Sequence, residues 1–239
     1  VMIHKKKSRR RLSKAYKRRR RIVYRNRAIL VLCVTLLIGT CVWGIRRKMS
    51  GRENQSVLAE TSIDWKGAPA INLRLLTPNQ YSRPQKKLRR VKGIVIHYTA
   101  NPGSTAQANH NYFEGLKYGS ETYASSHFIV GLDGEVIQNI PTTEQAYASN
   151  TRNDDTIAIE TCHQDESGAY NKKTYASMVQ LTGWLCVRYN LNADDVIRHY
   201  DITGKICPKY FVDHEDAWKE FKADVQDKIE EVKNEQQGG

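Results

Sequence analysis

The sequence lacks the dense cysteine pattern of a disulfide-rich domain and contains no repeated unit. Its five cysteines among 239 residues do not make a disulfide framework. Cys33 and Cys41 lie in an apolar run. A disulfide bond between Cys162 and Cys186 is one alternative, because sequence alone cannot test whether their geometry allows it. There is neither an internal repeat nor a long low-complexity segment. A disulfide-stapled scaffold and a repeat architecture are therefore excluded.

Acidic residues are absent from the start of the chain. Residues 1–27 hold fourteen Lys or Arg and no Asp or Glu, so they carry +14, and residues 28–52 add +4. The formal net charge of the whole chain is +13, which leaves −5 for residues 53–239. The basicity therefore belongs to an N-terminal tail, and the globular part is mildly acidic.

Charge is also missing from the eighteen residues 28–45, which form one apolar run. A membrane helix needs about 17–25 predominantly apolar residues, so the run predicts a transmembrane signal anchor. Fourteen positive charges precede it and four follow it closely, which predicts a cytoplasmic N-terminus. The rest of the chain is then expected outside the cytoplasm, and the predicted localisation is a single-pass membrane protein.

Alternatives to this anchor are a buried core helix and a cleaved signal peptide. A buried core helix fits poorly with a strongly basic flank. A cleaved signal peptide would need a small-x-small cleavage pattern, which is missing before Arg46. The basic tail is also compatible with RNA or DNA binding. Beside a membrane helix, anionic lipid headgroups are the simpler partner, so no nucleic acid is expected.

Strands and helices are mixed in the second half of the sequence. Hydrophobic periodicity, turn residues and caps predict strands over 93–97, 126–132, 135–140, 156–161 and 195–198, and helices over 105–114, 171–190 and 214–233. This mixture predicts an α/β fold with a central mixed sheet flanked by helices. The predicted organisation is a basic tail (1–27), an anchor (28–45), a linker with an N-terminal arm (46–87) and a globular domain (88–239).

A candidate metal site emerges from one loop and one strand end. His199 and Cys207 are separated by seven residues that include Gly204, which would let the loop fold back. His97 ends the apolar strand that begins at Gly93. Two His and one Cys leave one position of a tetrahedral zinc ion open, which is typical of a catalytic rather than a structural site.

Two further residues could perform hydrolysis at such a site. Glu160 lies inside an apolar strand, where a carboxylate is either turned to solvent or held in a polar site. Held there, it could accept a proton from water and return it to a leaving nitrogen. Lys205, two residues before Cys207, could stabilise a developing oxyanion. No Ser or Cys nucleophile pattern accompanies them.

Four blocks of sequence carry a family resemblance: GIVIHYTA (93–100), ASSHFIV (124–130), IAIE (157–160) and HYDITGKICP (199–208). Together, and in this order, they resemble the zinc N-acetylmuramoyl-L-alanine amidases of the amidase-2 group, relatives of phage endolysins and peptidoglycan recognition proteins. The resemblance covers about Leu88 to Lys228. It implies a mixed sheet with a zinc cleft at one edge, and it makes 88–239 an amidase catalytic domain.

The resemblance also implies the reaction and the residues that perform it. The expected substrate is peptidoglycan, cleaved at the amide between N-acetylmuramic acid and L-alanine of the stem peptide. By motif, the Zn²⁺ ligands fall on His97, His199 and Cys207, the catalytic acid/base on Glu160 and the oxyanion lysine on Lys205. Candidate residues of the substrate groove are Asn101, Asn109, Tyr112 and His127, the last being a cleft or a core histidine.

The alternative function is a peptidoglycan-binding module of the same fold that does not cut its ligand. Such relatives typically lack the Cys ligand, whereas this chain keeps Cys207 together with Glu160 and Lys205. The hydrolase interpretation is therefore favoured. A monomer is expected.

Overall fold

The computed structural model describes residues 65–237. Within them, six strands form one sheet in the order β1-β4-β3-β5-β2-β6. The strands are β1 (Ile71–Leu73), β2 (Gly93–Tyr98), β3 (Phe128–Val130), β4 (Val136–Gln138), β5 (Thr156–Thr161) and β6 (Val196–Arg198). Neighbouring strands are parallel except β3 and β4, which are antiparallel. The predicted mixed sheet is therefore confirmed.

Strands β2 and β5 lie next to each other inside the sheet. Both are rich in β-branched residues and nearly continuous in their burial, as expected for parallel strands covered on two faces. The antiparallel pair β3 and β4 follows from the predicted hairpin. Gly134 occupies its turn with a φ of 81°, a left-handed conformation that glycine adopts without steric cost.

Five α-helices surround this sheet within residues 65–237. They are α1 (Ala106–Gly115), α2 (Lys172–Tyr189), α3 (Tyr200–Thr203), α4 (Lys209–Asp213) and α5 (Glu215–Gln237). Side-chain caps begin the first two: Thr105 accepts from the backbone N–H of Ala108 at 3.1 Å, and Asn171 from that of Thr174 at 2.9 Å. Such caps satisfy backbone donors that a helix start leaves unpaired.

The two faces of the sheet carry different hydrophobic clusters. Alternate residues of β2 and β5, such as Ile96 and Ile159, join the larger cluster, which also contains buried residues of α2, α4 and α5. The opposite face packs Ile129 and Ile137 against α1. His97 and Glu160 point to this second face, because successive side chains alternate along a strand.

The predicted transmembrane helix is the part of the fold that needs correction. No helix among residues 65–237 is both long and apolar enough to cross a membrane, since the long helices α2 and α5 carry charged residues. The predicted anchor (28–45) and basic tail (1–27) lie outside the described residues. The fold is therefore corrected to the mixed sheet and its helices. The single-pass membrane localisation and the lipid partner, which were predicted from the anchor, are not supported.

Phe221 on α5 provides a test of the larger cluster. Its side chain is fully buried, with ring centroids 5.1 Å from Phe211 and 5.6 Å from Trp218. We expect Phe221→Ala to lower the free energy of unfolding by about 3–5 kcal/mol, because apolar contacts are lost and a cavity remains. Urea unfolding measures the loss. Lys219→Ala, an exposed change on the same helix, should alter it by no more than about 0.5 kcal/mol.

Candidate metal centre and catalytic cleft

The predicted site residues meet at the carboxyl ends of neighbouring parallel strands. His97 is the fifth residue of β2 and stands in register with Glu160, the fifth residue of β5. His199 follows β6 directly, and its backbone N–H donates to the carbonyl of Ile96 at 3.3 Å. In open parallel sheets, ligands bind in the crevice outside the carboxyl ends of the strands. This edge of the sheet is therefore the candidate cleft.

His97, His199 and Cys207 form a compact cluster of potential metal ligands. Their ligand atoms all lie within 4.8 Å of one another. Nδ1 of His97 is 3.8 Å from Sγ of Cys207, and the two imidazole centroids are 4.7 Å apart. A tetrahedral zinc ion places a nitrogen and a sulfur ligand about 3.6 Å apart. The donor set and its spacing therefore fit a metal ion.

The loop after β6 returns Cys207 to the histidines. Helix α3 begins directly after His199 and is capped at its end by Gly204, whose φ of 76° is left-handed. The N–H of Tyr200 then donates to the carbonyl of Cys207 at 2.8 Å. This bond closes the loop and explains how a ligand eight residues away reaches the same point.

Arg198 fixes the chain on both sides of this loop. Its guanidinium donates to Asp201 at 2.9 Å, to the carbonyl of Phe211 at 2.9 Å and to Glu215 at 2.6 Å. The side chain is mostly buried, where a charge is tolerated only with such partners. Arg198 therefore ties β6 and α3 to the elements that follow Cys207.

The electrostatics of the cluster favour neutral imidazoles. Burial lowers the pKa of His97 well below its ordinary value, with the charges of His199 and Lys205 adding to the effect. Burial, followed by the charge of Lys205, also lowers the pKa of His199. Neutral imidazole is the form that binds metals. Without a metal, burial and the charge of Glu160 raise the pKa of Cys207 to about 12.

Glu160 is partly buried beside this cluster. One carboxylate oxygen, Oε2, is buried without a hydrogen-bond partner. Burial raises the pKa of Glu160 to about 8, opposed by the positive charge of Lys205. A group that titrates near neutral pH can both accept and donate a proton at that pH. The side chain of Lys205 is itself exposed.

The predicted groove residues on α1 and its preceding loop differ in their exposure and in their hydrogen bonds. Asn101 is exposed, and Tyr112 is 52% exposed. The amide nitrogen of Asn109 instead donates to Oγ of Ser104 at 2.8 Å and to the carbonyl of Thr105 at 2.9 Å. Asn109 therefore stabilises the start of α1 through its amide nitrogen, and Asn101, Asn109 and Tyr112 stay predicted groove residues.

His127 is held by backbone groups on both sides of its ring. Nε2 donates to the carbonyl of Glu144 at 2.9 Å, and Nδ1 accepts from the N–H of Ala158 at 3.0 Å. The residue is buried, and burial lowers its pKa to about 4. Neither ring nitrogen is free for a substrate, which favours a core role for His127 over the predicted groove role.

The bridge between Cys162 and Cys186 is not formed. Both thiols are free and buried. Cys162 belongs to the cluster under α1, and Cys186 belongs to the larger cluster on the opposite side of the sheet. The sheet therefore separates the two sulfur atoms.

Ser149 and Asn150 are site residues that sequence reasoning missed. Oγ of Ser149 lies 3.2 Å from Nε2 of His97, and Oδ1 of Asn150 lies 2.8 Å from Nε2 of His199. Both belong to a loop between β4 and β5, more than forty residues from either histidine along the chain. Polar loop residues are common, so the sequence held no specific signal for them.

Comparison with known proteins agrees with the geometry of the site. The family model described as N-acetylmuramoyl-L-alanine amidase matches residues 87–210, more than half of the chain. The matched range contains β2 to β6 together with all the residues of the candidate centre.

Two curated relatives from Bacillus licheniformis are similar over the same region. The chain is 37% identical over 146 residues to a probable N-acetylmuramoyl-L-alanine amidase, covering 56% of this chain and 41% of that protein. It is 36% identical over 160 residues to the N-acetylmuramoyl-L-alanine amidase CwlL, covering 62% of this chain and 44% of that protein. The chain thus spans less than half the length of these relatives.

A solved structure matches over a whole domain. The catalytic domain of XlyA superposes with a TM-score of 0.56 at 26% identity, covering 66% of this chain and 99% of that domain. The family match, the relatives and the shared fold all concern the part of the chain that builds the cleft. The chain belongs to the N-acetylmuramoyl-L-alanine amidase family.

Proposed function

We propose that this chain is a zinc-dependent peptidoglycan hydrolase that cleaves the amide between N-acetylmuramic acid and L-alanine of the stem peptide. The observation that carries the proposal is the buried His97, His199 and Cys207 cluster beside Glu160, whose Oε2 has no hydrogen-bond partner. A three-ligand cluster leaves one tetrahedral position for water or substrate. The names of the family and of the relatives supply the substrate class.

In this proposal His97, His199 and Cys207 hold the zinc ion. When bound, zinc supplies Lewis acidity that polarises a carbonyl and makes water more acidic. Glu160 accepts a proton from the attacking water, whose oxygen adds to the carbonyl carbon. The positive charge of Lys205 stabilises the negative charge that develops on the carbonyl oxygen.

Collapse of the tetrahedral species breaks the carbon–nitrogen bond. Glu160 returns its proton to the departing nitrogen of L-alanine, so that the amine leaves in a neutral form. The products are a carboxylate on the muramic acid lactyl group and a peptide with a free N-terminus. No residue of the chain becomes covalently attached to the substrate.

We assign the catalytic domain to 88–239, with the segment 46–87 before it. The family match over 87–210 supports this start. Ile71–Leu73 of the preceding segment pairs with β4 and extends the sheet by one edge strand. Asn101 and Tyr112, exposed before and on α1, are proposed to line the groove for the glycopeptide.

Purified peptidoglycan provides the direct test. We expect the full chain to hold about one zinc ion and to release peptides that begin with L-alanine, detected by amine labelling and N-terminal identification. Removal of the metal with a chelator should abolish release, and added Zn²⁺ should restore it. A zinc-loaded chain that binds peptidoglycan but releases no amines would support the non-catalytic alternative and contradict the proposal.

A further inference from the structure

Both histidines of the metal cluster have one ring nitrogen engaged by the same short loop segment. Nε2 of His97 contacts Oγ of Ser149 at 3.2 Å, and Nε2 of His199 contacts Oδ1 of Asn150 at 2.8 Å. The two loop residues are adjacent in sequence, although the histidines come from different strands. One segment therefore contacts both rings.

The contact with Asn150 determines the tautomer of neutral His199, whereas the Ser149 hydroxyl can donate to or accept from His97. An amide oxygen only accepts hydrogen bonds, so the proton of neutral His199 must lie on Nε2. Nδ1 of His199 then keeps its lone pair. For His97, Nδ1 is the nitrogen near Sγ of Cys207, at 3.8 Å, and Nε2 can donate to Ser149. Both rings thus present Nδ1 as the metal-binding atom.

The loop is built to keep these two side chains in place. Oδ1 of Asn153 accepts from the backbone N–H groups of Ala148 at 3.1 Å and Ser149 at 2.6 Å. A short 3-10 turn over Asn150–Arg152 follows. Asn150 itself has a φ of 50°, in the left-handed region that Asn tolerates better than most residues.

We propose that Ser149 and Asn150 are positioning residues that fix the orientation of His97 and His199 and, through Asn150, the tautomer of His199, and thereby raise the affinity for the metal. The inference rests on the metal centre of the proposed function. Removing the hydrogen-bond partner of the second nitrogen of a metal-binding histidine typically lowers metal affinity by about 10–100-fold.

Zinc affinity of the full chain, measured by competition with a chromophoric chelator, tests this role. We expect Asn150→Gly and Ser149→Ala each to weaken zinc binding by about 10–100-fold. Glycine accepts the left-handed backbone of residue 150, so Asn150→Gly removes the side chain without adding strain. Asn150→Asp keeps an oxygen acceptor and should retain the affinity. Thr151→Ala, an exposed change in the same turn, is the matched control.

The tautomer of the metal-free protein gives a second readout. Long-range ¹H–¹⁵N NMR spectra of the histidine rings should show the Nε2–H form of His199 in the wild type and in Asn150→Asp. In Asn150→Gly, we expect a mixture of the two tautomers. This measurement needs only folded protein, and thermal unfolding of the metal-free variants shows whether each one is folded.

The outcomes separate this role from a merely structural one. If Asn150→Gly and Ser149→Ala lower metal-free stability but leave zinc affinity within about twofold of wild type, the two residues only satisfy buried rings and the inference is overturned. If wild type binds zinc tightly and hydrolyses peptidoglycan while these variants do the same, the proposed function stands and this inference alone fails. A wild type that binds no zinc overturns both.

Discussion

Glu160→Gln is expected to lower the rate of amide cleavage by about 10²–10⁴-fold while leaving zinc content unchanged. Glutamine has nearly the shape of glutamate, so the packing around β5 should be preserved. It cannot accept a proton from water or return one to the leaving nitrogen. Steady-state release of L-alanine amines from purified peptidoglycan, combined with metal analysis of the same sample, measures both quantities.

The environment of Glu160 is the reason for this large effect. Its Oε2 is buried without a partner, and its pKa is raised to about 8 by burial. A carboxylate placed in this way is costly to keep ionised, and no hydrogen bond to its Oε2 gives it a structural role. The unpaired oxygen is therefore available to a water molecule or a substrate group.

A matched control is Glu220→Gln. Glu220 is exposed on α5, which belongs to the hydrophobic cluster on the opposite side of the sheet from Glu160, and the change should leave the rate unaltered. A Glu160→Gln variant that cleaves at the full rate would contradict the acid/base role. A variant that loses both zinc and activity would assign Glu160 to metal retention instead.

The elements that carry the cleft could be predicted because each has a strong local signal. The run that begins at Gly93 and the strand that contains Glu160 are the longest strands of the sheet and are rich in β-branched residues. The Asp133-Gly134 pair specified the hairpin. The helices over 172–189 and 215–237 are amphipathic over many turns. These signals are local, so sequence alone was sufficient to find them.

Other parts of the structure have no such local signal. β1 has three residues, α3 has four and α4 has five, which is too short for a periodic pattern. Their positions depend on tertiary contacts, such as the pairing of Ile71–Leu73 with β4. The register that brings Glu160 beside His97 is likewise set by pairing between strands more than sixty residues apart. A sequence motif can identify both residues as candidates, but it cannot predict that they lie side by side in the sheet.

The contacts of Ser149 and Asn150 show the same limit at the level of single atoms. Each forms a hydrogen bond to a histidine that is distant in sequence, and the geometry arises only when the loop between β4 and β5 folds over the ends of β2 and β6. Conversely, His127 lies in a family block, where it was expected to be a cleft or a core histidine. Its ring proved to be occupied by two backbone groups.

Cys207→Ser is expected to remove the metal and, with it, the amidase activity. Cys207 is the one anionic ligand of the proposed set, since His97 and His199 bind as neutral imidazoles. A serine hydroxyl keeps its proton near neutral pH and is a poor zinc ligand, which leaves two neutral donors. After dialysis, we expect zinc content to fall from about one ion per chain to near zero, measured by metal analysis alongside amine release.

Two further variants test whether the loss of zinc and activity comes from the missing ligand or from a damaged fold. Cys162→Ser makes the same thiol-to-hydroxyl change at another buried free cysteine, outside the metal cluster, and should retain zinc and activity. Cys207→Asp restores an anionic donor of a type that zinc accepts, so it should bind zinc more tightly than Cys207→Ser does. If Cys207→Ser keeps its full complement of zinc, the thiolate is not a ligand. The three-ligand centre, from which the whole proposed reaction follows, would then have to be abandoned.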